Sequence, residues 1–229
     1  MKDKVRNIIA LAIIIVPFYF VVIFEKSRGI TDISIKGLFI KYLLISIFGI
    51  IVIYLTNKIL LRQNLQSFFK RKEKFIVDLS LGLLLLSATY FIMSLGNITY
   101  FRWFTSQFDN SKIIETLKEI FSNKLYAFIL LGPFIWATEL FSVFSRAFIL
   151  NNLWKLSGSK IGIWLSIILT ALLFAFTQID KGVPEMINTF LIIVTSNFLY
   201  FKYRSITPLL IAPILIQTID LVAFWFYIS

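Results

Sequence analysis

Glu139 and Arg146 stand seven residues apart inside one long apolar run, two helical turns, so they share a helix face. Gln217 and Asp220, three apart, share a face of another such run, and Gln178 closes a third. An ionisable side chain inside a bilayer costs a few kcal/mol, so each of these needs a reason. A carboxylate there can take a proton, order a water or answer a cation, whereas a neutral amide can only hydrogen-bond. Glu139 and Arg146 read as a structural ion pair, as two groups satisfied separately by neighbouring helices, or as part of a functional site. By rough depth, Glu139, Gln217 and Asp220 meet in the middle to outer part of a bundle, with Gln178 further out and Arg146 further in. Asp78 falls near the inner interface, where solvation accounts for it.

The chain has no cysteine and no histidine. Disulfides and thiolate chemistry are therefore excluded, as are metal sites built on imidazole or thiolate and acid–base catalysis by imidazole. No metal and no cofactor is expected. The 25 phenylalanines suit lipid-facing and interhelical packing, and haem would lack its usual ligands.

The elements that must position these residues follow from composition. Of 229 residues, 59% are hydrophobic and 15% charged, and mean hydropathy is +0.86; a soluble domain carries about a quarter charged residues. Seven apolar runs, at residues 8–24, 37–61, 75–95, 125–150, 161–179, 186–201 and 208–228, are each near the length needed to cross a bilayer. In lipid they should be helices, which predicts an all-α polytopic transmembrane bundle. The first run follows Lys2, Lys4 and Arg6 and has no small-residue cleavage site behind it, so it reads as a retained span, kinked by Pro17.

With the N-terminus inside, inner segments collect thirteen Lys and Arg against eight outside, spread over longer loops. That asymmetry predicts a cytoplasmic N-terminus, an extracellular Ser229 and a multi-pass protein of the cell membrane. The net charge of +11 is thus spent on topology, and no basic stripe outside the spans suggests nucleic acid. Asp109, Asn110 and Ser111 precede a run with helical spacing at 112–121, read either as an interfacial helix or as a partly ordered amphipathic loop, with Tyr100, Phe101, Trp103 and Phe104 in the headgroup zone. The basic stretch at 62–74 divides a two-span segment, 1–74, from a five-span core, 75–229.

The polar positions coincide with a family pattern. Arg146-Ala147-Phe148-Ile149-Leu150, then Phe174-Ala175-Phe176-Thr177-Gln178, then the run from Thr207 through Pro208 to Gln217 and Asp220, resemble in order and spacing the three motifs of the CPBP family of intramembrane proteases, also called the Abi or CAAX-protease-like family. The resemblance covers residues 131–223. It implies a first motif EExxxR, a second FxxxH, and a third in which His is followed one turn later by Asn or Asp, around a water activated for peptide hydrolysis.

This sequence departs from that pattern. Counting back from Arg146, the paired glutamates should stand at Phe141 and Ser142; the nearest glutamate is Glu139, one turn away. Both motif histidines are glutamines, Gln178 and Gln217, and Asp220 follows Gln217 by three residues rather than four. A neutral amide cannot serve as a general base, which leaves Glu139 as the one group that could act catalytically. The resemblance then implies a non-catalytic, degenerate member that binds a membrane protein or peptide, in bacteriocin self-immunity or as a scaffold that regulates another enzyme. An active endopeptidase using Glu139 is the alternative. A small transporter or channel subunit is the third; no inverted repeat supports it, and Gly132-Pro133 and Pro208 to Pro213 read as helix breaks in one half only.

Overall fold

The computed structural model describes residues 2–20, 22–24, 35–63, 75–99 and 124–228. The helix expected at 112–121, the aromatics at 100–104, most of the 62–74 loop and Ser229 lie outside the described residues. Among these, every regular element is helical, as expected where lipid offers the backbone no hydrogen-bond partner.

Helix α1 (Lys2–Ile15) runs into a π-helical turn, Val16–Phe20, that contains Pro17. Proline lacks an N–H and its ring crowds the carbonyl four residues back, and a wider turn relieves both. Helix α2 (Ile35–Leu55) ends in a second π-helical turn, Thr56–Leu60, closed by the Leu61 N–H on the Thr56 carbonyl. Then come α3 (Phe75–Ile98), α4 (Lys124–Ser157), α5 (Lys160–Phe176), a 3-10 turn (Ile179–Lys181), α6 (Val183–Tyr203) and α7 (Thr207–Ile228). Gly158, at φ 63°, takes the left-handed turn between α4 and α5, and Ser159 caps α5 by accepting from the Gly162 N–H.

Among the described residues, four helices are long and apolar enough to cross a membrane: Asp3–Phe24, Ile40–Leu60, Phe75–Gly96 and Leu131–Ser157. Lys160–Phe176 and Thr207–Ala223 are apolar but shorter. Helix α6 belongs to neither group and carries Glu185, Asn188, Ser196 and Asn197. The molecule is a helical membrane bundle. Helix α4 continues two turns past the predicted limit of 150, until Gly158 stops it. Neither Pro133 nor Pro213 breaks its helix; both lie within continuous α4 and α7.

Helix α4 is the centre. From Ser145 to Leu150 six consecutive residues are buried, so every face of that stretch is covered. It packs against α1, α2, α5, α6 and α7, while α3 lies on α6 and α7 and α5 on α6. Outward positions are apolar, as at Phe20 (65% exposed) and Ile76 (72%), the pattern of a surface that faces lipid. Hydroxyls buried inside are satisfied locally: Ser166 and Thr170 donate to the carbonyls of Gly162 and Ser166 at 2.6 and 2.7 Å. Asp78, expected to be solvated, is instead fully buried, because α3 lies flat against α6 and α7.

Candidate functional site

Helix α4 carries Glu139, Ser142, Ser145 and Arg146, and two cavities flank it. The first, of about 210 Å³, lies between α3, α4, α6 and α7 and is lined by Thr89, Glu139, Ser142, Arg146, Ser196 and Gln217 among aliphatic side chains. The second, of about 330 Å³, lies between α1, α2, α4 and α5; Tyr19, Glu139, Phe141, Ser142, Phe174 and Gln178 line it, with Lys181 beside Gln178. Glu139 and Ser142 line both. The two glutamines at the motif histidine positions therefore approach the one glutamate from opposite sides of α4.

Arg146 is buried and held by neutral groups. Its Nη1 donates to the Ser196 hydroxyl at 2.9 Å, its Nε reaches the Ser142 carbonyl at 3.4 Å, and its guanidinium lies over the Phe174 ring at 5.8 Å. Among the described residues it forms no ion pair with Glu139, whose carboxylate accepts no hydrogen bond from them. The two are therefore not in direct contact, although their opposite charges interact along α4. Gln178 donates to Thr177 Oγ1 at 3.3 Å, while its buried Oε1 has no partner among the described residues. Glu139 and Gln178 Oε1 are free acceptors on one cavity, suited to a ligand that brings N–H or O–H groups.

Phe141 occupies a motif glutamate position and is part of an aromatic wall. Its ring lies 5.4 Å from Phe18 and stacks on Tyr19 at 6.2 Å. It also presses on Gly49 of α2, where any added methyl would overlap the ring. Tyr19 in turn packs on Phe174 at 4.9 Å and hydrogen-bonds the Ser145 hydroxyl. Sequence reasoning missed Tyr19, Ser145 and Ser196. A hydroxyl-bearing ring inside an apolar run was the only signal for the first.

Asp220 is not brought to this group: it is exposed on α7 and lines neither cavity. Gln217, three residues earlier, does line the first. Among the described residues no group of three His, Cys, Asp or Glu is placed to hold a metal ion.

A central helix with a glutamate and an arginine, answered by glutamines from two flanking helices, defines a polar site within the bundle. Residues 123–219, from the start of α4 into α7, match the family model described as Type II CAAX prenyl endopeptidase Rce1-like, a match consistent with the resemblance to the CPBP family. No curated protein and no solved structure matches the chain.

Proposed function

We propose that this is a non-catalytic CPBP-type membrane protein that works by binding a membrane partner, a protein or peptide, at the cavities around Glu139. One observation carries the reading. The positions of the paired glutamates are Phe141 and Ser142, and Phe141 is locked between Phe18, Tyr19 and Gly49. The acid–base and water-holding groups of the family's hydrolysis have thus been exchanged for packing and amides, while the cavities and their hydrogen-bonding groups persist. A transmembrane segment with a free N–H or hydroxyl fits them, since such contacts between helices are worth about 0.6–2 kcal/mol each in lipid. Bacteriocin self-immunity and control of another membrane enzyme are both served by this mode of binding. The chain is proposed to lie in the cell membrane with its N-terminus cytoplasmic.

The test is a pull-down in mild detergent from native membranes with mass spectrometry, wild type beside Glu139→Ala. One stoichiometric partner, recovered intact with wild type and less fully with the variant, is the expected result. A precursor or peptide trapped only by the variant would instead favour an endopeptidase using Glu139, the reading for which the juxtaposition of Glu139, Gln178 and Gln217 speaks.

A further inference from the structure

The α6–α7 junction carries a second assembly of polar groups, at the end of the bundle where α1 starts and α4 finishes. Arg204 closes α6 at φ 54°, a left-handed conformation that residues other than glycine seldom hold without compensation. Its guanidinium carbon lies 4.4 Å from the centre of the Trp154 ring and 4.5 Å from that of Phe201. These rings meet edge-on at 5.5 Å. Nη1 of Arg204 reaches Asn151 Oδ1 at 3.4 Å, and the Asn151 amide donates to the Tyr200 hydroxyl at 2.6 Å, which fixes the amide's orientation.

A guanidinium offers five N–H donors in a rigid plane; among the described residues, Arg204 uses one of them. Burial draws its pKa down, and the Tyr200 side chain partly offsets that, so an added anion would relieve the charge. Two rings set its plane, and its backbone strain is retained. Such an arrangement suits planar, bidentate recognition of a phosphate, which a flexible ammonium does not provide. Lys155, the residue after Trp154 on α4, is hydrogen-bonded to Gln63 at 2.6 Å and adds a second cation at this end. The site lies between the ends of α4 and α6, with Trp154 against the guanidinium, a residue type enriched where helices meet headgroups.

We infer that the Arg204 guanidinium, held by Trp154, Phe201 and Asn151, binds the phosphate of an anionic lipid headgroup. The test is native mass spectrometry of the full chain in detergent, titrated with phosphatidylglycerol or phosphatidylcholine, for wild type, Arg204→Lys and Arg204→Asn. Wild type is expected to retain phosphatidylglycerol at least about tenfold better than phosphatidylcholine, and both variants to lose about tenfold, the loss of one charge-assisted contact. Asparagine accepts the left-handed conformation, so Arg204→Asn should still unfold in one cooperative transition, at a temperature lowered by the lost ring contacts, which separates lost binding from lost folding. Millimolar inorganic phosphate should leave the bound lipid in place. Equal retention of the two lipids, unchanged retention in Arg204→Asn, or displacement by inorganic phosphate would each overturn the assignment.

Discussion

The two sides of α4 are built on different principles although Glu139 and Ser142 look out on both. Toward α3, α6 and α7 the wall is aliphatic with hydroxyls and amides, Thr89, Ser196 and Gln217 among them. Toward α1 and α2 it is aromatic, a contiguous set of Phe18, Tyr19, Phe141 and Phe174. The first side lies largely within the segment that matches the family; the second is completed by two helices outside it. The contrast shows one helix packed in two ways by partners from different parts of the chain. At Phe141 a ring stands on α4 whose partners come from elsewhere in the chain, and that helix is the hub of the bundle.

Restoring a motif carboxylate with Phe141→Glu is the strongest way to break this contrast. It would set a charge among three rings, and a loss of about 3 kcal/mol or more is expected, read as a fall in melting temperature in detergent. A variant that stayed folded and cleaved a membrane peptide would show that the aromatic side is dispensable. Gly49→Ala should cost about 1–3 kcal/mol by overpacking Phe141, and Phe141→Leu in the same chain should recover most of it; a denaturation series on the three variants measures the coupling. Tyr19→Phe keeps the ring and removes only the hydroxyl contact to Ser145, so about 1 kcal/mol is expected from equilibrium unfolding. Glu139→Gln should move stability least, by under about 0.5 kcal/mol, since the carboxylate accepts nothing from the described residues. A larger drop would mean that Glu139 is structural on one of its two sides.

Much of the scaffold was legible in the sequence, because hydropathy and run length reflect the same demand for internal hydrogen bonding that lipid imposes. The apolar runs coincide with the helices to within a few residues, except at α1, which begins at Lys2 and gives way to the π-helical turn at Val16, and at the C-terminal end of α4, where Gly158 rather than the end of the apolar stretch ends the helix. The site was legible in part. Glu139, Ser142, Arg146, Phe174, Gln178 and Gln217 all line the cavities, because helical periodicity and motif spacing place them on inward faces. Asp220 does not. One residue short of the motif spacing turns a side chain by about 100° around its helix, enough to leave the cavity. Tyr19 with Ser145, and Arg146 with Ser196, were beyond reach, since partners 126 and 50 residues apart leave no local pattern. Asp78 misled for the opposite reason: its position near a helix end suggested water, and only the packing of α3 shows that it is enclosed.

Helix α4 has one more consequence. Its 34 residues amount to about 51 Å, well beyond a hydrocarbon core of about 30 Å, so it must lean or project at both ends. Glu139 lies close to its middle, about 22 Å from one end and 27 Å from the other. A rod that leans about its centre moves its tips and leaves its centre at constant depth. Thicker or thinner bilayers would therefore be absorbed by tilt, with the two cavities acting as the fulcrum, so the same site would work unchanged in membranes of different thickness.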